Sequence, residues 1–332
     1  MRIGVVATVE TTPPRWWPLD GTLAADFPHR RYMRSGVPVS ADTAFSVGRA
    51  SEIAADDSLG KWHWFVADEP AITDRGLFVS PASTNHIADT RFSSAVPGVV
   101  GADAVLPVGW AFTSPTGLTW EILGIGADDG YGLAFVDVRL SGTNASGSTV
   151  YPQVRFADGL SLGAPGTDFT LSSWVTEVTA PAPPQNRPVL QMIVRRSGGS
   201  SYTYPGITIA TAARARWSRV HQIGANFADE LAVETACIQQ NVLDSESVDV
   251  SFRLAGMQFE DRAAPTAPIR TDGVSQSRAS QTLAAHLPAG THDVTVDRDG
   301  ASSLVFPGLS GSAALPATGE WFVIGLNARP SP

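Results

Sequence analysis

The sequence predicts an all-β chain, on three observations. Only 17% of its 332 residues are charged. With 31 Gly and 24 Pro among many Ser and Thr, it is punctuated into short segments. Between these breaks apolar residues alternate with polar ones, the period-two pattern of strands with one buried face. The 43% hydrophobic content sets aside a disordered chain, because it supplies enough apolar surface to offset the entropy of ordering. The length has room for two or three ordinary domains.

Residues 1–84 open on a short apolar alternation and then Pro13-Pro14-Arg15-Trp16-Trp17-Pro18. This run is too rigid and donor-poor for a central strand, so an N-terminal extended region is expected, lying over a surface and packing its tryptophans there.

Residues 85–273 read as one β module. Thr119–Leu123, Gly132–Leu140, Phe169–Glu177, Val189–Arg195 and Trp217–Ile223 are strand-like and separated by Gly, Pro, Asn and Asp, the spacing of a sandwich. Asp229–Val242 admits two readings: Leu231, Val233 and Thr235 alternate, while Ala232, Ala236 and Gln239 suit a helix. A strand is preferred, as the neighbour between Trp217–Asn226 and Val248–Glu260. In the latter, Val248, Val250, Phe252 and Leu254 alternate with Asp249, Ser251 and Arg253. Pro265 and Pro268 then take the chain out of the sheet as an extended connector.

Residues 274–332 read as a separate small C-terminal β domain. Its short strands are Thr282–Leu287, His292–Asp297, Ser302–Phe306 and Glu320–Leu326, with a hairpin turn at Arg298-Asp299-Gly300. No tandem repeat is visible, which argues against a β-helix shaft.

Two stretches carry a family resemblance. Ala255-Gly256-Met257-Gln258-Phe259-Glu260, followed by Ala264-Pro265-Thr266-Ala267-Pro268-Ile269-Arg270-Thr271, resembles the closing strand and connector of the jelly-roll module in bacteriophage spike and tail-fibre proteins. Upstream, Phe45–Ser51, Asp56-Asp57, Gly60, Asp68-Glu69-Pro70 and Arg75–Asn85, ending Pro81-Ala82-Ser83-Thr84-Asn85, follow the layout that precedes that module. There are departures: an insertion between Val47 and Arg49, Glu69 where Asn is usual, no Arg after Pro70, and Ser80 in place of Glu. Pro107-Val108-Gly109-Trp110, Gly130-Tyr131-Gly132 and Arg139–Thr143 fit the same pattern.

The resemblance implies a central jelly-roll β-sandwich similar to carbohydrate-binding modules, in a spike or fibre of a phage or phage-like particle such as a gene transfer agent head spike. It further implies an adhesin for host capsular polysaccharide, in contact with other virion proteins and assembled as a homo-oligomer, a trimer first. The protein would be made in the bacterial cytoplasm, released by lysis and displayed on the particle surface, with residues 1–84 serving attachment. It also brings in a structural calcium near the module's ends, where Asp89, Glu260 and Asp261 are oxygen donors. A solvated acidic rim is the preferred reading of those three, and neither metal nor cofactor is expected.

A net charge of −9 without a basic run disfavours nucleic acid. No stretch is long enough for a membrane span, so no membrane insertion is expected. The single Cys237, in an apolar run, reads as a buried structural thiol. The six histidines lack metal-ligand spacing, and there is no Gly-x-Ser-x-Gly elbow or phosphate loop, so an enzyme is not expected.

Aromatic residues are the better lead. A sugar ring stacks its C–H faces on aromatic rings, while its hydroxyls seek planar amide, carboxylate or guanidinium groups. Tyr202 and Tyr204 share one side of an extended segment beside a Ser-Gly-rich run, Tyr131 stands between two glycines, and Trp62 and Trp64 share an alternation. These five are the candidate carbohydrate-binding residues. Packing is the commoner fate of Trp and Tyr, and Trp120, Trp174, Trp217 and Trp321 are assigned to the core. Two rival readings stand beside the adhesin: a structural particle protein without glycan affinity, which buried tyrosines would favour, and a polysaccharide-degrading enzyme, which two facing carboxylates in a groove would favour.

Overall fold

The computed structural model describes residues 16–157, 163–178, 188–203, 206–209, 213–225, 227–315 and 319–332. The chain is all-β, its one described helix being the single turn Ala41–Ala44. Two antiparallel sheets face each other in the middle of the chain. One has the order 98–99, 118–126, 135–143, 247–260, 168–177, 215–222; the other has 111–113, 153–157, 230–239, 189–196, 201–203, with 207–208 also on 189–196. Their inward residues, among them Trp120, Val136, Val138, Leu171, Met192, Val233, Phe252 and Phe259, form one buried core.

The ambiguous segment is a strand, Glu230–Gln239. It lies in the opposite sheet, however, and the strand between 215–222 and 247–260 is Asp168–Glu177. Cys237 is fully buried. Trp120 and Trp174 are buried, whereas Trp217 and Trp321 are half-buried against their cores.

The strand Ser247–Glu260 changes its inward face along its length. Val248, Val250, Phe252 and Leu254 point inward, but so do Met257 and Phe259. The phase changes at a bulge, where the pairing with Asp168–Glu177 shifts between Ser172 and Trp174. Gly256 sits there with φ +51, and a Cβ at this position would meet the Trp174 ring at 2.9 Å. The bulge therefore turns Gln258 and Glu260 away from the core.

Two expectations about domain limits are corrected. The N-terminal segment and the C-terminal segment are not separate units. Leu23–Asp26 pairs with Trp321–Pro330, Gly76–Val79 pairs with the start of that same strand, and Phe45–Gly48 pairs with Thr282–His286. One core unites Leu23, Phe27, Phe45, Leu77, Leu283, Val294, Val323 and Leu326. The physical reason is that neither half alone has enough strands to bury its apolar faces. Nor is the N-terminal part extended throughout, since strands form from Leu23 onward. Of its proline-rich run only Trp16, Trp17 and Pro18 are described; residues 1–15 lie outside.

The sandwich is thus carried between the two halves of a terminal unit, and the family-like residues stitch them together. Asn85, fully buried, donates to the carbonyls of Met257 (3.0 Å) and Ile269 (3.1 Å) and accepts the amides of Phe259 and Ile87. Gln258 accepts the Ile269 amide (2.6 Å) and donates to the Thr266 carbonyl (2.8 Å). Glu260 accepts from Ser83 (2.6 Å), Gln258 (3.0 Å), the Thr266 amide (3.0 Å) and the Thr266 hydroxyl.

Beside it, Glu320 accepts the Ala267 amide, the Ser80 hydroxyl and the guanidinium of buried Arg278 (2.8 Å). Burial pushes the Arg278 guanidinium below the usual arginine range and takes that of Arg216 down to about 10, while Glu320 and Glu260 pull both back up. Two buried guanidiniums and two carboxylates thus balance at the seam.

Candidate functional site

Three of the five candidate aromatics converge on one surface. Tyr131 caps the loop between 118–126 and 135–143, and the loop is fixed from within. Asp128 accepts the amides of Gly130 (2.8 Å) and Gly132 (2.7 Å), and Asp129 those of Tyr131 (2.9 Å) and Leu133 (3.2 Å). The Gly132 amide, with that of Gly130, holds the Asp128 carboxyl below the usual carboxylate range. Gly132, at φ +84, lies against the Trp62 carbonyl, where a Cβ would come within 2.1 Å. Trp62 donates its amide to the Tyr131 carbonyl (2.7 Å), and Trp64 donates its indole N–H to the Gly132 carbonyl (3.0 Å).

The roles of the three rings differ. Trp62 stands edge-on to Trp174 at 5.6 Å and packs into two small apolar clusters, so it joins the terminal unit to the sandwich. Tyr131 is 40% exposed. The Arg214 guanidinium lies 4.1 Å from its ring centre and is itself anchored by a 2.9 Å ion pair to the buried carboxylate of Asp129. Trp64 is half-buried, with the Arg270 guanidinium 3.6 Å from its ring. Both rings are therefore backed by a cation, which holds each plane in place.

From Trp64 a cavity of about 310 Å³ opens at the seam, its walls including Glu52, Arg91, Arg270, Asp272 and Gln276. A more open one of about 820 Å³, lined by Ser, Ala and Thr with Asp261 and Arg262, shares Ser51, Ser277 and Arg278 with it. An indole, two guanidiniums, two carboxylates and an amide around one cleft provide both a stacking wall and planar hydrogen-bonding groups. Desolvation lowers the Arg270 pKa, opposed by Glu52 and reinforced by Arg91.

Tyr202 is not part of this surface. It lies on the edge strand Ser201–Thr203 of the other sheet, 39% exposed and edge-on to Phe227 at 5.1 Å. Tyr204 lies outside the described residues. The three oxygen donors considered for calcium are not gathered either. Asp89 is spent on the Phe92 amide and Ser94, Glu260 on the seam, and Asp261 stands 3.8 Å from His86. Among the described residues no group of three His, Cys, Asp or Glu is placed to hold a metal.

Sequence reasoning missed Arg270, Arg91, Glu52, Asp272, Gln276 and Arg214. A signal existed for Arg270: it falls between buried Ile269 and Thr271 in an extended run, so alternation turns it outward.

No protein-family model matches the chain, and no curated protein matches it. Among solved structures it is similar to the family 11 carbohydrate-binding module of the cellulosomal cellulase Lic26A-Cel5E of Clostridium thermocellum (13% identity, 52% of this chain, 97% of that one, TM-score 0.28). It is also similar to a structure described under promiscuous specificity of carbohydrate-binding modules of the β-sandwich superfamily (12%, 73% and 86%, 0.34). A third is the adhesin domain of Epf from Streptococcus pyogenes (6%, 72% and 86%, 0.26). Identities of 6–13% and TM-scores of 0.26–0.34 leave the function to be argued from the site.

Proposed function

We propose that the chain is a glycan-binding adhesin that binds surface polysaccharide of a host cell from a phage-like particle, without catalysis. The observation that carries this is that the successive carbonyls of Tyr131 and Gly132 accept the Trp62 amide and the Trp64 indole N–H, which brings Tyr131 and Trp64, each with an arginine over its ring, to one surface beside a seam cleft walled by planar polar groups. Exposure of Tyr131 and Tyr202 tells against the purely structural rival, for which both rings would be buried. The resemblance at Phe45–Asn85 and Ala255–Thr271 supplies the particle context: a spike or fibre, displayed in several copies and mounted on other virion proteins through the terminal unit. Several copies on one particle turn weak single sites into firm attachment.

The test is binding of the purified protein to cells of candidate hosts with and without their capsule, alongside Tyr131→Ala and Tyr202→Ala. Capsule-dependent binding lost only in Tyr131→Ala supports the reading. No binding at any valency overturns the adhesin and leaves the structural protein.

A further inference from the structure

We infer that the seam cleft takes an acidic sugar residue, its carboxylate seated against the Arg270 guanidinium with Arg91 beside it. This rests on the glycan reading above and names the class of glycan.

The arginines elsewhere around the seam are engaged. Arg278 is bonded to Glu320 and the Ala267 carbonyl, and Arg216 to the Thr266 carbonyl and Ser172. Arg49 is bonded to the carbonyls of Ser51, Val66 and Glu69 and to Gln281. Arg270 is different. It is half-buried with its guanidinium over the Trp64 ring, and among the described residues its side chain makes neither an ion pair nor a hydrogen bond. Its N–H donors, in a fixed fork, are thus held in place without a protein acceptor and are open to an anion.

Arg91 is exposed, and among the described residues its guanidinium is paired with Glu52 at 3.8 Å, beyond hydrogen-bond reach. Both arginines wall the same 310 Å³ cleft, and Asp272, the other acid there, already accepts the Ser93 hydroxyl. Desolvation lowers the Arg270 pKa, with Glu52 opposing it and Arg91 adding to it as a like charge on the same cavity.

A planar carboxylate matches the guanidinium fork with two parallel hydrogen bonds, and the Trp64 ring under the guanidinium holds that fork in place. The chain as a whole, at −9, repels an acidic polymer, so capture depends on this local pair.

The experiment compares the full chain's affinity for polygalacturonate, alginate and hyaluronate, each beside its carboxyl-reduced counterpart, and for dextran sulfate. The variants are Arg270→Gln, Arg270→Lys, Arg91→Gln and Tyr131→Ala, with urea unfolding as the check on folding. The expected result is that at least one acidic polymer binds tenfold or more tightly than its reduced form. That preference disappears in Arg270→Gln and shrinks in Arg91→Gln, and is only partly kept in Arg270→Lys, which has the charge without the fork. Arg91 is exposed, so Arg91→Gln keeps the test open even where Arg270→Gln fails to fold.

Equal binding of acidic and reduced polymers that Tyr131→Ala weakens overturns this inference and keeps the glycan reading. Binding of dextran sulfate alone overturns the carboxylate assignment. No binding of any polymer overturns both.

Discussion

The hydroxyl of Ser83 donates to the carboxylate of Glu260 at 2.6 Å across 177 residues of chain, with both side chains buried. The two ends of the sandwich are fastened at this point. Glu260→Gln would place an amide N–H₂ where hydroxyl and amide donors already converge, leaving buried donors without an acceptor. The expected loss is about 3 kcal/mol of stability, read from urea unfolding. Ser83→Ala removes a single donor and is expected to cost about 1–2 kcal/mol.

Gly256→Ala is expected to destabilise by at least about 1–2 kcal/mol. An L residue is strained at φ +51, and its Cβ would press on the Trp174 ring at 2.9 Å. A thermal midpoint unchanged from the parent would refute the account of the bulge given above.

Tyr131→Ala is expected to weaken glycan binding about tenfold, the worth of a stacked ring with its buried area, while leaving the urea midpoint nearly unchanged. Tyr131→Phe keeps the ring and should bind as the parent does. Tyr202→Ala, on the other sheet, should bind normally too. Isothermal titration with a polysaccharide ligand separates the three.

His86 supplies a pH signature. Burial pushes its imidazole below the usual histidine range, only partly opposed by Asp261. The unfolded chain therefore takes up a proton near pH 6.5 that the folded chain refuses, so the folded state loses stability as the pH falls below that value. The loss levels off only below the depressed folded pKa. Urea midpoints at pH 7.5 and pH 5 should fall further apart in the parent than in His86→Asn. Equal declines would show that His86 is as freely protonated in the fold as in water.

Much of the architecture was legible. The strands of the sandwich and of the C-terminal segment are legible by alternation, because most have one face in a core and one outside it, whereas the strands between Leu23 and Val79 are too short to show the period. The phase change between Leu254 and Met257, across a glycine, was also written in the residues and marks the bulge. What alternation does not carry is partnership. Nothing in Leu23–Asp26 says that its neighbour is Trp321–Pro330, since a backbone ladder has no residue code, and so the two ends were parted into two units. The site was half legible for a related reason. Tyr131 was marked by its flanking glycines, but Arg270 and Arg214 matter through the rings that they cover, and those contacts exist only after folding.

Because the chain enters and leaves the sandwich at neighbouring points, with Ser83–Asn85 paired to Gln276–Arg278, the module hangs from two anchors and not from one linker. A single tether would let it swivel, whereas a double one fixes its bearing, so every copy on an assembly would aim Tyr131 and the cleft the same way. The same geometry makes the sandwich a replaceable cassette. A module grafted between Asn85 and Thr271 would inherit the mount unchanged, provided that it brings its own counterparts of Gln258 and Glu260.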